Sequence, residues 1–557
     1  MSLVARLLPA VLVTALVGAR VHAEEVIVDP EDSSAPAERA STPDGEERVA
    51  DLEDSDTRAP TGQKQVADDT PLPGLSASPV VWSARGQLRL AFDIWHERET
   101  AGSYEGYRED TLELLLQTAA RLEYRPKPWL QLRLGGRIQY HLTSTRPSDT
   151  SDSESEMLSK RSHRNELDAE FTELSLQVSS SWLDLTAGLV TVVWGVSNLV
   201  NPNDVMTARD LRLGPLADSE TGRLPVPTMS LQGELKGVTV VAYWQPLFLP
   251  NRVDLFGSDY ALCGPAASLP LQRLGETVGR LVDDSVEGNL QHDLLQTRRP
   301  SPFVDPVLGA RVAWRLGGWD VALQYAWLFE RLPHLRLKPD LSVLPLLTGD
   351  LDELTDDQMQ QIARWATQQP SPAEGIYRRN HHAGISVSGT IWRLAVNLDL
   401  AYQSLQSAPL GGDNPLVDDG GGGWYTASAD SQAVAYTLGM TYLSGESFLA
   451  TLEWWHLALV DIAGDATQPP LLLGGPHYGG LALLVRYRLS AINLAFQAAI
   501  QSDLLNPSVV ICPRVVYRHG DHLGLMVGAN LFEGTRRSIA GKLGQNDQLF
   551  VGIEGYL

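Results

Sequence analysis

From about residue 84 to residue 557, apolar and polar positions alternate with a period of two. In the stretch 130–142 one face carries Leu130, Leu132, Leu134, Ile138, Tyr140 and Leu142. The other carries Gln131, Arg133, Arg137, Gln139 and His141. Successive strand side chains point to opposite faces, so this pattern predicts β-strands with one apolar and one polar face. It recurs in Leu88, Leu90, Phe92 and Ile94 against Arg89 and Asp93, and in Leu308, Val312 and Trp314 against Arg311 and Arg315. It recurs again in Trp392, Leu394, Val396, Leu398, Leu400 and Tyr402 against Arg393, Asn397, Asp399 and Gln403. The final strand holds Leu549, Val551, Ile553 and Leu557 on one face.

The connections sort by length. Short turns are predicted near 125–128, 180–181, 236–237, 317–318, 389–390, 444–446, 489–490 and 519–521. Mostly longer connections fall at 98–109, 144–164, 194–225, 248–305, 333–379, 407–430, 461–477, 504–507 and 533–546. Short and long alternate, which gives about 18 strands and places both ends of the strand array on one side. Tight turns on one side and long loops on the other are the organisation of a transmembrane, antiparallel, up-and-down β-barrel with long extracellular loops. The strand lengths suit a tilted membrane crossing, which needs roughly 9–11 residues, better than a soluble sheet. Aromatic residues also gather at the strand ends: Trp319, Trp392 and Tyr442 by short turns, and Tyr140, Trp327, Phe329 and Tyr402 by long loops. Lipid demands a closed sheet, because no water is present to satisfy an open edge. The polar face then lines a lumen, and at this strand number the lumen holds water unless loops fill it.

Composition adds an address. Arg6, the apolar run 7–18 and the small-residue site Val21-His22-Ala23 read as a secretory signal over 1–23. No cysteine follows it for lipid attachment, and no later segment offers a transmembrane helix. Residues 24–80 are acidic and poor in apolar groups, so they read as a disordered periplasmic segment ahead of a barrel over 84–557. Whether that tail is a solvated tether or docks a periplasmic partner is open in the sequence. The net charge of −24 argues against nucleic-acid binding.

The inferred lumen face carries Arg133, Arg137, Arg311, Arg315 and Arg393 among near-balanced acids, Asp399 and Glu453 included. Arginines repeated along one strand, as in 133/137 and 311/315, are the candidates for contacting solute. The 194–225 connection is the most distinctive. It contains Trp194-Gly195, Asn201-Pro202-Asn203-Asp204 and Arg209-Asp210-Leu211-Arg212. Two readings stand: a loop bracing the barrel mouth, or one folded into the lumen as a constriction with Arg209, Asp210 and Arg212 facing the solute. In Trp194, Gly195, Asn201, Pro202, Asp204 and the charged run that follows, the sequence resembles Gram-negative porin-like outer-membrane barrels. The strand number is similar to that of barrels exporting polysaccharides such as alginate. The resemblance implies an outer-membrane location, contact with lipid and lipopolysaccharide, and a channel function.

Thr355–Gln358 resembles a capping box opening a helix with Leu354, Met359, Ile362 and Trp365 on one side. Leu271, Leu274, Val278, Leu281 and Val282 suggest a second helix. Gly420–Gly423 before Trp424-Tyr425 reads as an external loop. Cys263 and Cys512 leave a disulfide to a long loop open. His381-His382 lacks further ligands for a metal site, no hydrolase or nucleotide motif is present, and no cofactor is implied. The expectation is a passive, non-enzymatic channel for hydrophilic solutes or an exported polymer. The alternative is a plugged structural or adhesive barrel that binds partners through its loops.

Overall fold

A computed structural model describes residues 80–93, 111–145, 163–212, 222–253, 296–340, 342–348, 355–366, 372–411, 416–419, 423–445, 447–463, 471–520, 522–535, 538–543 and 547–556, with a few positions between 267 and 274. The signal segment expected over 1–23 and the acidic segment expected over 24–80 lie outside these residues, except Val80, which opens the first strand, and so do Cys263 and most of the helix suggested near 271–282.

Eighteen strands pair edge to edge in chain order. They are β1 (Val80–Asp93), β2 (Thr111–Lys127), β3 (Leu130–Thr145), β4 (His163–Ser179), β5 (Leu183–Val190), β6 (Val226–Leu235), β7 (Val238–Gln245), β8 (Val307–Leu316), β9 (Trp319–Phe329), β10 (Arg379–Ile391), β11 (Leu394–Pro409), β12 (Ser428–Ser444), β13 (Phe448–Val460), β14 (His477–Leu489), β15 (Leu494–Asp503), β16 (Ser508–His519), β17 (Leu523–Gly534) and β18 (Gln548–Tyr556). All neighbours run antiparallel. β1 pairs with β18, with Arg85 opposite Tyr556 and Phe92 opposite Leu549. The sheet therefore closes on itself, each strand having two neighbours, as the strand count and alternating connections predict.

The alternation decides which way each face turns. Ile138, Leu231, Leu398, Leu438, Leu452, Val527 and Ile553 are exposed on the outside. Gln139, Gln324, Asn397, Thr437, Glu453 and Glu554 are buried on the inside. This is the reverse of a soluble core and fits a barrel solvated by hydrocarbon. Exposed aromatics form two girdles: Trp129, Trp182, Trp392, Tyr487 and Tyr517 towards the short turns, Trp244, Tyr325 and Tyr402 towards the long loops. Phe329 departs from the expected girdle. It is buried, edge-on to Phe248 with ring centroids 5.4 Å apart.

One turn differs from the sequence pattern. β10 continues through Gly389-Thr390, and the reversal falls at Trp392, whose φ of +56° is left-handed. Arg393 therefore sits in an exposed periplasmic-side turn and not on the lumen wall, a correction to its expected place.

On the long-loop side, three connections knit together. Short strands Gln296–Arg298, Ala373–Ile376, His334–Leu337, Tyr425–Thr426 and Val417–Asp418 form a five-stranded sheet in that spatial order. Helices α1 (Leu344–Thr348) and α2 (Asp356–Ala366) pack there around Leu337, Leu347, Ile362 and Trp365. The capping box forms: Thr355 N donates to Gln358 Oε1 at 2.8 Å. Trp424 is not a free loop aromatic, since the Arg336 guanidinium lies 4.9 Å from its ring centre.

Candidate functional site

After Val190 the chain leaves the wall and enters the barrel. Trp194 is fully buried, edge-on to Tyr243 of β7 at 5.6 Å between centroids. Gly195 follows with φ +86°. Asn201 folds back on this corner: its Nδ2 donates to Trp194 O at 2.8 Å and its Oδ1 accepts from Asn203 N at 3.0 Å. A Cβ at position 195 would stand 2.1 Å from Asn201 Oδ1, so only glycine fits.

Between these anchors, five consecutive backbone N–H groups converge on two wall carboxylates. Val196 and Ser197 donate to Asp399 Oδ2 at 2.9 and 2.7 Å. Asn198 donates to Glu453 Oε1 at 2.6 Å, and Leu199 and Val200 donate to Oε2 at 3.0 and 2.8 Å. Asn397 Nδ2 donates to Val196 O at 3.0 Å. Asn203, fully buried, donates to Asp399 Oδ1 at 3.0 Å and Ser386 Oγ at 3.2 Å. It approaches β10 so closely that a Cβ on Gly384 would stand 2.1 Å from its Oδ1. Asp399 lies on β11 and Glu453 on β13, six and eight places round an 18-strand ring from β5. The segment therefore crosses the interior and is tied to the far wall. Each hydrogen bond to a charged group contributes on the order of 1.5–3 kcal/mol. Without these donors, the buried Glu453 carboxylate would lack compensation and Asp399 would keep only the hydroxyl of Ser386.

The charged run behind the crossing is neutralised locally. Asp204, its side chain fully buried, holds Arg209 at 2.8 Å and Arg223 at 3.0 Å. Arg212 bridges Asp210 at 2.7 Å, Asp168 at 2.6 Å and Glu166 at 3.1 Å. Arg252 reaches Glu170 at 2.7 Å, and Arg137 also hydrogen-bonds Glu170. Burial works to raise the Asp210 carboxyl, but the hydrogen bonds and charge of Arg212 prevail and hold it below the ordinary aspartate value. Arg331, beyond the end of β9, gathers the carbonyls of Val205, Met206 and Leu249. Burial pushes its guanidinium down to about 10, against the opposing charge of Asp204.

The structure thus brings Trp194, Gly195, Asn201, Asp204, Arg209, Asp210, Arg212 and Arg137 into one assembly, with Pro202 between two anchoring asparagines. Arg133 lies lower on the lumen face, 3.5 Å from Glu173 and 3.7 Å from Glu123. Arg311 stands half-buried on β8 opposite Gln324 in register. Arg315 pairs with Asp320 at 3.1 Å near the short turn, where its side chain is 71% exposed. Sequence reasoning missed the β4 acids Glu166, Asp168 and Glu170. Their signal was present in the alternation of Glu166-Leu-Asp168-Ala-Glu170.

A closed 18-stranded antiparallel barrel with an apolar exterior, aromatic girdles and a polar interior crossed by a loop is a porin-like outer-membrane barrel. The chain belongs to the family described as a protein of unknown function, DUF1302, which it matches over residues 116–512. No curated protein sequence matches it. Among solved structures it is similar to Acinetobacter baumannii OccAB1, at 8% identity and a TM-score of 0.43, covering 86% of this chain and 96% of that one. It is also similar to Pseudomonas aeruginosa OccK7 (OpdD), at 10% and 0.42, covering 86% and 98%. A third is the outer membrane channel DcaP of Acinetobacter baumannii, at 9% and 0.34, covering 86% and 97%. The architecture rests on the strand pairing described above and not on these distant likenesses.

Proposed function

We propose that the protein is a passive, non-enzymatic channel for small hydrophilic solutes, narrowed by the 194–203 crossing. The observation that carries this reading is the set of five backbone donors tied to Asp399 and Glu453, because it fixes a loop across a polar interior. A channel needs an interior whose groups are satisfied without clogging the whole bore, and a pinned loop provides a defined narrowing. Arg133 and Arg311 are the proposed wall groups facing solute, while Arg137, Arg209, Asp210 and Arg212 hold the crossing in place. Export of a polymer such as a polysaccharide fits less well, since the chain would have to displace the anchored segment. The external five-stranded sheet supports a second reading, a barrel that binds partners through its loops.

Planar-bilayer recording of the purified barrel tests the proposal. Stepwise ionic currents are expected, with larger single-channel steps in the Asp399→Ala/Glu453→Ala double variant, which frees the crossing. A folded barrel that passes no current would overturn the channel and favour the partner-binding reading.

A further inference from the structure

The 194–203 crossing is held mainly by its backbone. The peptide N–H groups from Val196 to Val200 all point at Asp399 or Glu453. Any residue except proline supplies such a donor, so this anchor does not dictate which side chains the segment carries. A strip of chain lying in a wetted lumen could be polar throughout. Instead it reads Val196-Ser197-Asn198-Leu199-Val200, followed by Asn201-Pro202.

The side chains divide into two sets. Trp194, Ser197 and Asn203 are buried. Val196, Leu199, Val200 and Pro202 are only half-buried, and Asn198 between them is exposed. Val196, Leu199 and Val200 belong to none of the apolar clusters formed by the described residues. Exposed apolar groups on the outside of this barrel meet hydrocarbon. These cannot, because their own peptide groups are bonded to acids on the inner face. Their accessible part therefore meets the water of the lumen, where apolar surface carries a free-energy cost until something covers it.

We propose that Val196, Leu199 and Val200 form an apolar sill at the narrowing, which favours water-soluble solutes carrying one compact apolar group over solutes polar all round. The proposal rests on the channel reading above and names a solute class for it. The inner wall that completes the bore is polar, with Arg133 and Gln139 among its groups. A solute of this class keeps its polar part with that wall and with water, and lays its apolar group on the sill. Covering roughly 55 Å² of apolar surface is worth about tenfold in occupancy. That is enough to draw such a solute in and weak enough to let it leave, as conduction requires. A solute polar all round gains nothing at the same place.

The test is single-channel recording of the purified full-length protein in planar bilayers, with glucose and phenyl glucoside as matched probes. Both are neutral, so charge selectivity plays no part. Heat-modifiable migration on gels checks the fold of each variant. Phenyl glucoside is expected to interrupt the current with an apparent affinity about tenfold above that of glucose. In Leu199→Ser/Val200→Ser, which keeps every backbone donor, the two probes should converge. Leu199→Met/Val200→Ile should keep the preference. A conducting barrel that treats both probes alike overturns the sill and leaves the channel standing. A preference that survives the serine substitutions places the apolar contact elsewhere and also overturns it. A folded barrel without current removes the channel, and the sill with it.

Discussion

Gly195 shows how much of the interior crossing depends on one absent methyl group. Its φ of +86° and the 2.1 Å approach of Asn201 Oδ1 leave no room for a side chain. Gly195→Ala is expected to cost about 1–3 kcal/mol, the usual range for a strained backbone position. Denaturant unfolding in detergent reads this as a lower midpoint, and an unchanged midpoint would contradict it. Asp210 carries a pH prediction. Its folded carboxyl sits below the ordinary value of 3.8. The folded state therefore favours the charged form, and the resulting stabilisation is complete above that pH. It is lost as pH falls through the lowered folded value. Amide exchange at 208–212, corrected for intrinsic rate, should stay slow at pH 5 and rise only in stronger acid. Arg212→Gln should remove most of that acid dependence.

At the level of elements, external and internal loops hold their shape by different means. The cap over 334–376 has a small apolar core and a capped helix. Thr355 and Gln358 satisfy donors at the start of α2, and Trp365 and Ile362 bury the face behind it. Thr355→Ala is expected to cost about 0.5–2 kcal/mol of local stability. Mass-spectrometric exchange over 356–366 should speed up accordingly, with the barrel strands unaffected. The 194–203 crossing has little apolar packing beyond Trp194 and instead hangs on carboxylates from two distant strands. It is therefore the more sensitive to single charge-removing substitutions.

Across the whole molecule, the ring was readable because lipid imposes a strict rule on every strand. Ile138 had to face outward and Gln139 inward, and tight turns had to alternate with long connections. The path of the crossing was not readable. Asp399 and Glu453 appear in the sequence as ordinary inward acids, and nothing local shows that backbone more than 190 positions earlier donates to them. The capping box was legible because its partners are three residues apart. The place of Arg393 was not, because the left-handed turn at Trp392 depends on the register of the neighbouring strands and has no glycine to mark it.

The pairing of Arg85 with Tyr556 sets the order of assembly. The first strand cannot be sealed until the last one is present, so the cylinder cannot mature while the chain is still being synthesised. Joining such remote ends costs little at equilibrium, since each doubling of loop length adds only about 0.6 kcal/mol. It is slow, however, because nonlocal contacts form late. Until that seam zips shut, two edge strands stay available to other chains, and this interval is when a newly exported copy is most vulnerable to aggregation.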